Sequence, residues 1–239
     1  HTVMLQAQIS AIDYSPFHQN NIVSTGLILN AIDPSKGHLV HISSSVVNSL
    51  ADDFYTQSKT EQENMVQASN INYCILRPTL MFGWFDRKHL GWLSRFMQKT
   101  PIFPIPGSGQ YLRQPLYVGD FCDIIIAAME KRISQQMFNI SGLEKVNYID
   151  IIRTIKKVMQ TRTLLLPIPY KVFDTLLKTY ALFDHSPPFT SSQLKALVID
   201  ETFEIIDWEK IFNVKATPFI SAIKTTLTDT TYSKVVLKF

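Results

Sequence analysis

Tyr55 and Lys59 stand four residues apart in Tyr-Thr-Gln-Ser-Lys, ten residues after a serine run, Ser43, Ser44 and Ser45. On a helix, residues four apart share a face. A phenol of ordinary pKa about 10 is a poor base at neutral pH. A neighbouring ammonium favours the phenolate. A serine hydroxyl can hold a substrate oxygen while the tyrosine exchanges its proton. The chemistry that suits the trio is hydride transfer at a carbinol or carbonyl carbon, with a nicotinamide as hydride carrier. A Tyr-x-x-x-Lys pair is also an ordinary surface feature of helices, so its setting decides between the two readings.

That setting is an alternation of strands and helices. Thr2–Gln6 reads as a short strand, and Pro16–Ile32 as a helix with proline near its start. Residues 38–43, flanked by Gly37 and the serines, read as a buried strand. Asp52 or Asp53 caps a polar helix running to about Ser69, and Asn72–Arg77 is a strand stopped by Pro78. Apolar strands joined by helices imply a parallel sheet. In such a sheet, chemistry collects outside the carboxyl ends of the strands, where the serines fall.

Beyond Pro78 the pattern loosens. A helix is expected near Gly91–Lys99, then a proline-rich loop (residues 100–110) and a strand around Gln114–Val118. A helix Asp120–Lys131 capped by Asp120, a strand Gln136–Ile140 and a helix Tyr148–Met159 follow, with a mostly helical tail. The fold class is therefore α/β: a Rossmann-type doubly wound parallel sheet with a small, mostly helical C-terminal lobe. Residues 1–80 are expected to form the C-terminal part of a dinucleotide-binding domain. Residues 81–239 would form the substrate lobe and return a strand and helices to the sheet.

Composition narrows the class. The chain has 239 residues, 46% hydrophobic and 18% charged, which excludes intrinsic disorder. Its 23 basic and 20 acidic residues form no block of like charge, so nucleic acid is not an expected partner. No apolar run reaches the length of a transmembrane helix. Cys74 and Cys122 lie in apolar runs and read as buried free thiols of a reducing compartment. The histidines lack metal-ligand spacing, so no metal is expected. Trp84, Phe85 and Trp92 suit a substrate pocket or simple packing equally well, and Leu164–Phe183 could pack on the domain or lie on a membrane surface.

Six segments together resemble the extended short-chain dehydrogenase/reductases, the NAD-dependent epimerase/dehydratase group. They are Val3–Gln8, Asn21–Thr25, residues 39–45, residues 55–59, residues 76–83 and residues 104–120, in the order that group has them. The resemblance implies Tyr55 as acid/base, Lys59 as its partner and ribose ligand, and Ser45 as the catalytic serine, with Ser44 as the alternative. It implies NAD or NADP as cofactor, held by Ala7, Asn21, Ser43, Tyr55, Lys59, Pro78 and Thr79. Ser44, Arg113 and Phe82 would meet a small-molecule substrate such as a nucleotide sugar, Arg113 facing its phosphate. A cytoplasmic enzyme is implied, and a homodimer is left open.

The chain departs from the group twice. It has no glycine-rich phosphate-binding turn. The resemblance places that turn, with the first strand and the ribose-reading acid, roughly 60–70 residues before His1. An N-terminal segment is thus expected to be missing, the alternative being loss of dinucleotide binding. The serine run is also followed by Val46 and Val47, not the Asp-Glu pair of sugar-nucleotide dehydratases, which favours epimerase or reductase chemistry. The tail also resembles the branch related to the respiratory complex I accessory subunit, so a non-catalytic nucleotide-binding or assembly role is the competing expectation. A reductase of a small lipid or quinone-like molecule is a third.

Overall fold

The computed structural model describes every residue except 10, 50–52, 87–88, 184–188 and 236–239, and omits the side chain of Ser192. Asp52, one of the two expected helix caps, lies outside the described residues. In chain order the elements are β1 (Thr2–Met4), α1 (Ser15–Phe17), a π-helical segment (His18–Val23), α2 (Ser24–Ala31), β2 (His38–Ile42), α3 (Phe54–Ala68) and β3 (Asn72–Pro78). Next come β4 (Met81–Phe82), α4 (Leu90–Lys99), β5 (Ile102–Pro106), β6 (Leu112–Arg113), β7 (Leu116–Tyr117), α5 (Val118–Glu130) and β8 (Gln136–Ile140). The last are β9 (Val146–Asn147), α6 (Tyr148–Met159), β10 (Leu164–Ile168), α7 (Tyr170–Ala181), α8 (Ser191–Leu197), α9 (Trp208–Phe212) and α10 (Phe219–Thr228).

The chain divides into two compact units. The first comprises His1–Leu80, Gly119–Ser141 and Glu204–Ala216. Its centre is a parallel sheet of order β1-β2-β3-β8. All five residues of β2 are buried, as a strand covered on both faces requires. Met4, Leu39 and Ile75 form one core with Val66 of α3, and Ile28, Leu29 and Ile32 pack against it. The turn into β2 depends on Gly37: a Cβ there would lie 2.2 Å from the Ile32 side chain and 2.7 Å from the Asp33 carbonyl. Asp53 caps α3, its carboxylate accepting from the Thr56 amide at 2.8 Å.

The expected single helix over Pro16–Ile32 is broken by its π-helical stretch. A π turn frees backbone carbonyls from the i+4 ladder. That of Asn21 accepts from the Thr25 hydroxyl at 2.6 Å and the Gln62 amide at 3.0 Å. Helix α5 begins at Val118, so Asp120 lies within its first turn and is not its cap. Cys122 is exposed, contrary to expectation. The helical period turns Phe121, Ile124 and Ala128 inward and leaves Cys122 outside.

The second unit comprises Met81–Val118, Gly142–Phe203 and Thr217–Phe239. Its core gathers Phe103 and Ile105 of β5, Ile152 and Ile155 of α6, and Phe219 and Ile223 of α10. The proline-rich segment expected as a loop holds β5, and the tail expected as helical opens with β10; the two pair in parallel from Leu164↔Ile102 to Ile168↔Pro106. A two-stranded pair has an outer edge on each strand, so Pro104, Pro106 and Pro167 are tolerated where no ladder donor is needed.

Candidate active site

The first unit brings the expected site residues to the carboxyl edge of its sheet. Ser43 follows β2, and its amide extends the ladder to the Leu76 carbonyl at 2.8 Å. Thr79 follows β3, and its amide reaches the Ile140 carbonyl at 2.9 Å. Ala7, exposed, lies three residues past β1. Pro78, buried, ends β3 and removes the donor that would carry the strand further.

Tyr55 is half-buried in the first turn of α3, and its hydroxyl hydrogen-bonds Ser44. Ser44 is the extended residue ahead of a 3-10 turn, Ser45–Asn48, and its Oγ also accepts from the Val46 amide at 3.4 Å. The serine that meets the tyrosine is thus Ser44, the alternative expectation. Ser45, expected first, opens the turn instead. Burial holds the Tyr55 phenol above its ordinary pKa, the Ser44 hydrogen bond opposes this, and the Asp53 charge adds to it. The expected lowering by Lys59 is absent from these causes.

Lys59 lies one turn further on and is 1% exposed. Its Nζ donates to the Ile42 carbonyl at 3.0 Å. Burial pushes the ammonium down to about 8, and the Glu63 carboxylate partly restores it. His41, fully buried on β2, has neither ring nitrogen bonded to a described residue. Burial, then the Lys59 charge, holds its pKa well below the ordinary value, so the ring is neutral.

Asn21, expected as a cofactor contact, is committed within the protein. Its Oδ1 accepts from the Gln8 amide at 2.6 Å, and its Nδ2 donates to the Gln8 carbonyl at 3.2 Å and to Ser58 Oγ at 2.8 Å. It ties the segment after β1 to α3. Sequence reasoning missed the rest of this polar seam. Gln62 donates to Thr25 at 2.8 Å, and Glu63 takes a forked pair from Arg77 at 2.5 and 2.9 Å. The signal was there: polar Lys59, Gln62 and Glu63 fall at the inward positions of α3.

The structure therefore groups Ser43, Ser44, Tyr55, Lys59 and Thr79. The side-chain oxygens of Ser43 and Thr79 are buried with no partner among the described residues. Such hydroxyls are costly unless a ligand or water meets them. They suit the polar ribose–nicotinamide part of a dinucleotide.

Phe82 and Arg113 belong to the second unit and have other duties. Phe82, expected at the substrate, is a core residue against Tyr117 and Phe219, with ring centroids 5.7 and 5.6 Å away. Arg113, expected to face a phosphate, is buried, and its guanidinium donates to the carbonyls of Ile199 at 2.8 Å and of Leu197. A cation on the last carbonyls of a helix is a favourable C-cap, here of α8. The nearby Trp84 and Trp92 pack on Tyr232 and Phe96.

This parallel α/β sheet, with a Ser–Tyr–Lys constellation outside its carboxyl edge, defines a Rossmann-type protein of the short-chain dehydrogenase/reductase kind. A profile of the NAD dependent epimerase/dehydratase family matches residues 6–141, and the chain belongs to that family. It resembles the solved structure of UDP-glucuronic acid 4-epimerase from Bacillus cereus in complex with NAD, at 22% identity and TM-score 0.59, covering 82% of this chain and 75% of that one. A UDP-glucose 4-epimerase from Thermotoga maritima with UDP-glucose is 15% identical with TM-score 0.70, covering 94% and 75%. RMD from Pseudomonas aeruginosa complexed with NADPH is 14% identical with TM-score 0.67, covering 95% and 80%. No curated protein matches the chain. Among the described residues no helix is long and apolar enough to cross a membrane.

Proposed function

We propose that the protein is an NAD(P)-dependent epimerase or oxidoreductase acting on a carbinol or carbonyl carbon of a nucleotide-linked sugar. The observation that carries this reading is the Ser44–Tyr55 hydrogen bond together with the hydroxyls of Ser43 and Thr79, unpartnered among the described residues, on one sheet edge. The epimerases it resembles in fold work with UDP-sugars, which supports the substrate class.

A dinucleotide, when bound, would supply the hydride acceptor. The protein's residues do the proton work. Tyr55 Oη takes the carbinol proton as the carbon–hydrogen bond breaks, and gives it back when the carbonyl is reduced. Ser44 Oγ holds the reacting oxygen within reach of that phenol. Lys59, an ammonium below about pH 8, supplies positive charge one helical turn away and has donors left for a ribose. Ser43 and Thr79 offer the ligand hydroxyls that no described residue engages. The reading carries with it a cytoplasmic setting, where Cys74 stays a buried thiol, and it leaves a homodimer open. Tyr55→Phe tests it: UDP-sugar turnover should be lost while the fold and NAD(P)H binding persist. Undiminished turnover in that variant would remove Tyr55 from the chemistry.

A further inference from the structure

The serine turn is tied to the sheet by a side chain that takes no part in the proposed proton transfer. Asn48 closes the 3-10 turn Ser45–Asn48 that starts beside Ser44. Its amide spans two neighbouring strands. The Oδ1 accepts from Arg77 Nη1 at 3.3 Å, and the Nδ2 donates to Asn139 Oδ1 at 2.9 Å. Arg77 of β3 and Asn139 of β8 are partners in the parallel register, so their side chains leave the same face of the sheet. Glu63 of α3 meets Arg77 on that face, at 2.5 and 2.9 Å.

These contacts close a ring. Ser44 meets Tyr55 at the start of α3. Glu63, about two turns further along the helix, meets Arg77. Arg77 meets Asn48, and the chain returns from Asn48 to Ser44 through the turn. Helix α3 and the serine turn are thereby joined at both ends of the ring. The Glu63 carboxylate engages Nε and Nη2 of the Arg77 fork, which leaves Nη1 for Asn48. Other bonds of the turn are local. The Val46 amide donates to Ser44 Oγ, and the Ser49 amide and hydroxyl donate to the Val46 carbonyl at 2.9 and 2.7 Å. They shape the turn, whereas Asn48 fixes where it lies on the sheet.

We propose that Asn48 is a positioning residue of the Ser44–Tyr55 pair: its amide, held by Arg77 and Asn139, seats the serine turn so that Ser44 Oγ stays within reach of Tyr55 Oη. The proposal rests on Ser44 and Tyr55 being the reacting pair. A misplacement of about 1 Å at such a group can cost on the order of a hundredfold in rate. Side chains that meet a substrate keep their geometry when a further layer of hydrogen bonds holds them. An amide suits this place, because one end must accept from a guanidinium and the other donate to a carbonyl oxygen.

The experiment isotope-labels the tyrosine ζ carbons of the full-length protein and follows the Tyr55 resonance at neutral pH, identified by its loss in Tyr55→Phe. The shift of that carbon reports the hydrogen bond at the phenol. Ser44→Ala should displace the resonance. Asn48→Ala should displace it the same way by at least half as much, and adding Asn48→Ala to Ser44→Ala should move it no further. Asn139→Leu should act like Asn48→Ala, whereas Asn139→Asp, which keeps an accepting oxygen, should leave the resonance in place. Asn48 is exposed and Asn139 half-buried, so these variants should keep the wild-type melting profile. In UDP-sugar turnover, Asn48→Ala should lower kcat about tenfold or more with NAD(P)H affinity unchanged. The resonance needs neither substrate nor cofactor, so a wild type that converts no UDP-sugar would count against the proposed reaction and not against the seating of Ser44. In Asn48→Ala, a displacement below half that of Ser44→Ala, or one that adds in full to it, would overturn the proposal. So would a wild-type resonance in Asn139→Leu. An unmoved resonance in Ser44→Ala would overturn the reacting pair as well.

Discussion

Tyr55 is by itself a poor base, since burial holds its phenol up while the Ser44 hydrogen bond pulls only part of the way back. Two consequences can be measured. First, Ser44→Ala should reduce kcat about a hundredfold with little change in NAD(P)H affinity, whereas Ser45→Ala should cost under tenfold. The reverse order would restore Ser45 to the role. Second, Lys59 titrates near 8 and the reaction needs its ammonium, so kcat/KM should fall as pH rises through about 8. Stability should move the opposite way. The folded pKa of Lys59 lies below its ordinary 10.5, so burying the charge costs roughly 3 kcal/mol below pH 8. That cost is relieved between about pH 8 and 10.5. Lys59→Met should remove this alkaline gain in a pH series of denaturant melts.

At the scale of elements, helix α3 carries the site and is held by polar contacts on its inner face. Asn21 satisfies both its own amide and the Gln8 backbone, and Gln62 and Glu63 anchor the turn after Ser58. Asn21→Ala leaves the Gln8 amide unpaired and should cost about 2–4 kcal/mol in urea unfolding. Glu63→Ala strands the Arg77 guanidinium and should cost about 3–5 kcal/mol. A wild-type unfolding curve from either variant would show that these contacts are incidental. Helix α3 was legible because its polar spacing and Asp53 cap follow local rules. The π-helical break before α2 was not, because it is set by partners 37 to 41 residues away, Ser58 and Gln62. For the same reason the pairing of β5 with β10 escaped notice: prolines read as loop formers when the strand's edge position is unknown.

For the whole molecule, the order of motifs anticipated the α/β class and the family, and the parallel register of β1, β2, β3 and β8 follows from buried apolar strands. The tasks of Phe82 and Arg113 were not legible. A core phenylalanine and a substrate phenylalanine look alike in one dimension, and Arg113 meets carbonyls more than 80 residues later in the chain. Dinucleotide binding belongs at this scale too. A ligand that satisfies Ser43 and Thr79 and binds only the folded protein should raise its unfolding free energy by about 2.7 kcal/mol at a hundredfold excess over Kd.

The most direct test of the Ser44–Tyr55–Lys59 site is to compare wild type and Tyr55→Phe for NAD(P)H binding by nicotinamide fluorescence and for UDP-sugar conversion by chromatography of the products. The account predicts micromolar binding by both proteins and conversion by wild type alone, at least about a thousandfold faster than the variant. Equal conversion by the two, or no dinucleotide binding by the folded full-length wild type, would contradict it.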